Sequence, residues 1–255
     1  MAGHSHSANI KFRKNRQDAA RGKAFSKVAR EIMSAVRESG PDPASNLRLR
    51  YAIVRARSIS MPRDNIDRAI SRGSGAGGGA QLEELLYEGF GAGGVAVLVE
   101  SLTDNRNRTA PEVRKVFEKR GGNLAAGGAV SWMFERKALF FVARDPGSPE
   151  SGLSEDQMME AVLELGAEDL VSEDEVFEIR GEVGGFHRLA KGLEDRGIEF
   201  QDARIAWIPK STVEVSDPTQ ARQVLELIRS LEDLDDVQVV SSNYDIPTEL
   251  LAELG

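Results

Sequence analysis

The sequence predicts an α+β protein: an N-terminal basic three-helix domain followed by two ferredoxin-like α/β domains, one inserted in the other. Three observations predict it. Apolar residues recur at helical spacing up to residue 73 and at mixed strand and helix spacing after 80. A glycine-rich stretch, "RGSGAGGGA" (Arg72 to Ala80), separates the two regimes and reads as a linker. The charge also changes sign there. Residues 1–73 hold 16 Lys and Arg against 6 Asp and Glu, a net of +10, and the rest holds 17 against 35, a net of −18.

In the first domain (1–79), Phe25, Val28, Ala29, Ile32, Met33 and Val36 form one apolar stripe that ends at Gly40-Pro41. Lys23, Lys27, Arg30 and Arg37 fall on the opposite side. A second helix is expected over Pro43–Arg57, with Arg48 and Arg55 on one stripe and Arg50 and Arg57 on another. A third starts at Pro62, a residue suited to the first helical turn, and stops near Gly73.

In the second domain (80–135 with 210–255), "QLEELLYEG" reads as an acidic helix and "GGVAVLVESL" as a buried strand. Thr109-Ala-Pro-Glu112 reads as a capping box opening a helix through Arg120. "GGNLAAGG" is a turn and "AVSWMFE" a strand. The chain returns with strand "STVEVS", helix "DPTQARQVLELIRSLED" and strand "DVQVVSSN". Between them, residues 136–209 give strand "ALFFVA", helix "SEDQMMEAVLELG", strand "EVFEIR", helix "GGFHRLAKGLEDRG" and strand "ARIAWIP".

Composition excludes several function classes. There is no cysteine, so disulfides, thiolate metal sites and cysteine nucleophiles are absent. No apolar run approaches the ~18 residues of a membrane span, and the N-terminus lacks a secretory signal, so a cytoplasmic location is expected. "GFGAGG" supplies Gly89, Gly91 and Gly94 in a G-x-G-x-x-G pattern. A dinucleotide site needs a strand before it and a helix after it, whereas here a strand follows, so no cofactor is expected. His4 and His6 are too few to hold zinc, and an Ala2-Gly3-His4 terminus that could take Cu(II) or Ni(II) is adventitious chemistry, so no metal is expected. His187 stands alone. Candidate general bases at useful spacing are missing, and the chain is read as a non-enzyme.

The charge split points instead to a polyanion-binding head on an acidic body; the competing reading is a basic face that pairs with the acidic part of its own chain. Lys11, Arg13, Lys14, Arg16, Arg21 and Lys23 fall within 13 residues, a density that predicts neutralisation of several phosphates. Phe12 among them can stack on a base or anchor the segment. Arg106 and Arg108, in "LTDNRNRT", sit in a loop between a strand and a helix. Arginine forks there suit phosphate, and the alternative is a turn whose arginines pair with the acidic body.

"MAGHS", "ANIKFRKNRQDAARGKAFSKVAREI", "MPRDNIDRAI", "YEGFGAGGVAVLVESLTDNRNRT" and "GGNLAAGGAVSWMFERK" together resemble the YebC/PmpR family. The resemblance runs nearly end to end and is strongest through residue 137. It implies a basic helical domain followed by two α/β domains. It also implies a nucleic-acid-binding regulator of gene expression, described for family members as a DNA-binding transcriptional regulator. A second description is a ribosome-associated translation factor that relieves stalling, in contact with rRNA or tRNA; the family includes a mitochondrial translational activator of a cytochrome oxidase subunit. Neither implies catalysis by the chain; the remote alternative is an enzyme acting on a phosphorylated ligand. The expected partners are nucleic acid (DNA, rRNA or tRNA) and the ribosome, with no membrane. The contacts expected are Lys11, Arg13, Lys14, Arg16, Arg21, Lys23, Lys27, Arg30, Arg48, Arg55, Arg106 and Arg108. One departure stands out: the family's "HSKWA" is "HSHSA" here, so His6 and Ser7 replace a lysine and a tryptophan.

Overall fold

The structure, a computed structural model, describes residues 21–75, 82–144, 153–172 and 176–254. The chain forms two compact units, Met1–Glu135 with Ile208–Gly255, and Arg136–Trp207. It passes into the second within one strand and returns within another.

The first unit begins with α1 (Arg21–Ser39), α2 (Leu47–Ser58) and α3 (Arg63–Gly73). The stripe read from the sequence is the bundle core: Val28, Ile32 and Val36 are buried with Leu49, Ala52, Ala56, Ile66 and Ala69. Asn46, itself buried, decides where α2 starts. Its side-chain oxygen accepts from the Leu49 amide at 3.0 Å, and its Nδ2 donates to the carbonyls of Ala35 and Gly40, each at 2.7 Å. Residues 43–46 are therefore turn and cap rather than the first helical turn expected from Pro43. The Gly-rich linker lies outside the described residues from 76 to 81.

After it come β1 (Glu83–Phe90), β2 (Ala96–Thr103), α4 (Arg106–Lys119) and β3 (Asn123–Leu124). Residues beyond the insertion add β8 (Val213–Glu214), α7 (Pro218–Glu232), β9 (Val237–Ser242), β10 (Tyr244–Asp245) and α8 (Thr248–Leu254). The main sheet has the order β3-β1-β2-β9 with every pair antiparallel. Val113 and Phe117 of α4 and Val224, Leu227 and Leu231 of α7 share one buried cluster with Val97, Val99 and Val240 of the strands. Each such side chain contributes about 1.5–3 kcal/mol by leaving water.

Three local readings change. "QLEELLYEG" is β1, because Glu83–Phe90 pairs residue by residue with β2 on one side and β3 on the other; tertiary pairing outweighs the helical preference of Glu and Leu. Thr109 does not cap α4. Asn105 does, its Oδ1 accepting from the Asn107 and Arg108 amides at 3.1 and 3.2 Å, so the helix opens four residues earlier. "AVSWMFE" is a turn for most of its length: Ser131–Met133 is a single 3-10 turn, and β4 (Phe134–Ala143) begins only at Phe134 and continues through "ALFFVA".

The glycines of "GFGAGG" make the β1–β2 hairpin. Gly93 and Gly94 hold φ of 68° and 76°, a left-handed pair that suits glycine, and β2 follows without a helix. Gly89 lets Phe117 lie against β1, since a Cβ there would stand 2.6 Å from its ring and from the Asn123 carbonyl.

The second unit is formed by β4, α5 (Glu155–Glu164), β5 (Asp169–Ser172), β6 (Val176–Glu182), α6 (Phe186–Asp195) and β7 (Phe200–Pro209), with sheet order β5-β6-β4-β7. This is the βαββαβ order of the ferredoxin-like outline, and β5 is a strand the sequence pattern did not single out. Phe140 centres its core, stacked on Phe186 at 4.9 Å and edge-on to Phe200 at 5.4 Å.

Candidate nucleic-acid interface

The basic face of α1 lies against the C-terminal end of α7. Lys23 Nζ donates to the Asp233 carbonyl at 3.0 Å, and Lys27 Nζ to the Glu232 carbonyl at 2.5 Å. Arg30 donates to the Asp235 carbonyl, and its second terminal nitrogen lies 3.1 Å from the Asp236 carboxylate. These acceptors cluster where α7 runs out of internal donors, at the negative end of its dipole, so three cations there are electrostatically favoured. Burial holds the Lys27 ammonium below the usual lysine range, although Glu232 and Asp233 act to raise it.

Asp236 is the centre of this region. It is 2% exposed, and its Oδ2 accepts from Thr103 Oγ1 at 3.0 Å, Thr109 Oγ1 at 2.6 Å and Arg108 at 2.6 Å. Its other oxygen faces Arg30. Burial acts to raise its pKa, but the hydrogen bonds from Thr109, Arg108 and Thr103 and the charge of Arg30 outweigh that and hold it below the usual carboxylate range. Arg108 also pairs with Asp104 at 3.0 Å, and its guanidinium is held above its ordinary value mainly by Asp236. Arg106 and Arg108, expected in a loop, stand in the first turn of α4, and this segment and the basic face of α1, far apart in sequence, meet at one carboxylate.

The remaining candidates on the bundle are also engaged. Arg48 bridges Glu38 and Glu84, each at 2.5 Å; burial opposes its charge, yet the two carboxylates raise its pKa overall. Arg55 contacts both carboxylate oxygens of Glu31, at 3.1 and 2.8 Å. Arg106, by contrast, is exposed and makes no ion pair among the described residues. Lys11, Arg13, Lys14 and Arg16, with His4, His6 and Phe12, lie outside the described residues, and Arg21 is the first residue of α1.

Arg57 at the end of α2 and Arg63, Arg68 and Arg72 along α3 are also exposed, and none of them is among the contacts expected from the sequence. Arg63 is 3.7 Å from Asp67, and Arg68 is 3.5 Å from the Asn65 side chain, both weak contacts in solvent.

Two further features were hidden in apolar or acidic strings. Glu88 on β1 is 5% exposed and accepts the backbone N–H groups of Gly128, Val130 and Ser131 at 2.7, 2.7 and 2.8 Å. Burial acts to raise its pKa, and those three amides more than reverse the effect. The turn it clamps carries Trp132, an exposed indole. His187 is exposed on α6. Among the described residues no group of three or more His, Cys, Asp or Glu is placed to hold a metal ion, and no helix is long and apolar enough to cross a membrane.

Comparison with known proteins agrees along the whole chain. Residues 5–76 match the TACO1/YebC protein N-terminal domain, and residues 82–244 match the TACO1/YebC second and third domain. A "Probable transcriptional regulatory protein" of Halothermothrix orenii is 48% identical over 254 residues, covering 100% of this chain and 99% of that one. One of the same name from Aquifex aeolicus is 48% identical over 255 residues, covering 100% of each. The crystal structure of a conserved hypothetical protein from Aquifex aeolicus superposes with a TM-score of 0.83 at 46% identity, covering 92% of this chain and 94% of that one. Two domain models in sequence, relatives of matching length and a common fold place the chain in the TACO1/YebC family.

Proposed function

We propose that the protein is a non-enzymatic, DNA-binding regulator of gene expression that grips phosphate through its N-terminal helical domain. The observation that carries this reading is the exposed arginine set Arg57, Arg63, Arg68 and Arg72, on a domain whose sequence also holds Lys11, Arg13, Lys14 and Arg16. Lys23, Lys27 and Arg30 take a different part: by neutralising the acidic end of α7 they hold the helical domain to the α/β body. The regulatory names of the relatives support the role.

Fluorescence anisotropy of the full chain on labelled duplex DNA at several salt concentrations tests the reading. Affinity is expected to fall with a log–log slope of about −0.9 for each phosphate neutralised. Replacing Arg57, Arg68 and Arg72 together by Gln is expected to flatten that slope by roughly two to three contacts. Binding that ignores salt, or no binding at all, would sink it.

A further inference from the structure

Trp132 is the most exposed large hydrophobic side chain among the described residues, at 67%. It is nonetheless held firmly. Its Nε1–H donates to the Ala129 carbonyl at 3.0 Å, fixing one edge of the indole. The buried Glu88 carboxylate clamps the amides of Gly128, Val130 and Ser131 just before it. Behind it, the Lys210 amide donates to the Met133 carbonyl at 2.9 Å. Lys210 Nζ, on an exposed residue, donates to the Trp132 carbonyl at 2.9 Å, which ties an ammonium to the backbone of the same residue with further N–H donors to spare.

A rigid indole whose polar edge is already satisfied offers only its π faces, and the group bonded to its own backbone carbonyl is a cation. That pairing fits one nucleotide: a base for the ring and a phosphate for the ammonium. A protein hot spot is ordinarily set within a patch of packed contacts, whereas Ser131 and Met133 beside this ring are half-buried and the preceding turn is Ala-Ala-Gly-Gly. In a duplex each base face is covered by its neighbours, so a projecting ring is met by an unpaired base. We infer that Trp132 and Lys210 form a platform for a single unpaired nucleotide, the base stacked on the indole and its phosphate bound by the Lys210 ammonium. This rests on the nucleic-acid reading above and specifies the strand state that it requires at this turn.

The chain has two tryptophans, so W207F in the full-length protein leaves Trp132 as the sole reporter. That variant would be titrated with oligothymidylate, with oligouridylate and with a blunt duplex of equal length. Quenching is expected with single strands and not with the duplex, and the stronger of the two single-strand responses identifies DNA or RNA as the source. In the wild-type background W132A is expected to weaken single-strand binding about tenfold and duplex binding less than about twofold, with W132F retaining most of the affinity. K210Q is expected to lower the single-strand salt slope by about one contact. An unquenched indole, or unchanged affinity in W132A, while oligonucleotides still bind, would overturn the platform, leave the nucleic-acid reading standing and turn the ring towards a protein partner. Failure of every nucleic acid to bind would overturn both.

Discussion

Arg30 of α1 lies 3.1 Å from the Asp236 carboxylate, whose other oxygen is held at 2.6 Å by Arg108 of α4. One buried charge thus ties the helical domain to the α/β body and fixes the first turn of α4 at the same time. Removing one partner of such a group leaves the others uncompensated, which is the costly way to break a buried ion pair.

Asp236→Asn is accordingly expected to destabilise the protein by about 3 kcal/mol in urea or thermal unfolding. Arg30→Gln, whose guanidinium is partly exposed, is expected to cost about 1 kcal/mol. Combined, the two should cost less than their sum, because they share a partner. Additive losses would show that Arg30 and Asp236 do not interact in solution.

Acid sensitivity follows from the same carboxylate and from Glu88. Both have folded-state pKa values held below their ordinary ones. Their contribution is therefore fully present above the unfolded-state values of about 4 and is lost as pH falls through the lower folded-state values. Unfolding free energy is expected to drop steadily below about pH 4.5, and the D236N/E88Q double variant should show a shallower slope over that window. An equal slope in both proteins would assign the acid response elsewhere.

Glu88→Gln tests the clamp on the Trp132 turn. A glutamine offers one carbonyl oxygen and sets an NH2 group against N–H donors, so charge-assisted bonds worth about 1.5–3 kcal/mol are lost. Faster hydrogen exchange is expected at the Gly128, Val130 and Ser131 amides, more than at the buried strand residues Val97 and Val99. Unchanged protection at those three amides would contradict the clamp.

Gly89→Ala places a methyl 2.6 Å from both the Phe117 ring and the Asn123 carbonyl, where backbone cannot yield easily. A loss of about 1–3 kcal/mol is expected. Gly91→Ala meets the flexible end of Leu227 at 3.1 Å and should cost less. A dinucleotide role for these glycines would instead appear as lost nucleotide binding with stability intact, by calorimetry on both variants.

Arg55→Gln and Arg57→Gln separate the two kinds of bundle arginine. Arg55 holds Glu31 and is expected to cost up to about 1 kcal/mol of stability with little change in the salt dependence of DNA binding. Arg57 is exposed, so its loss should leave stability within about 0.5 kcal/mol and reduce the salt slope by about one contact. The opposite assignment would return the interface to the Arg48–Arg55 stripe.

The α1 core stripe, the stops at Gly40 and Gly73, the α+β class and the family resemblance were legible in residue order alone. Those features are local or periodic: Val28, Ile32 and Val36 must share a face whatever surrounds them. The rest depended on contacts between segments distant in the chain. Glu83–Phe90 became a strand because β2 and β3 flank it, and Asn105 took the cap that Thr109 was expected to provide, freeing the Thr109 hydroxyl for Asp236. Charge was legible as a total, +10 before residue 74 and −18 after it, but its pairing was not. Coulomb attraction acts through distance in space rather than along the chain. Folding therefore turned Lys23, Lys27, Arg30 and Arg108 onto residues 232–236 and left Arg57, Arg63, Arg68, Arg72 and Trp132 facing water.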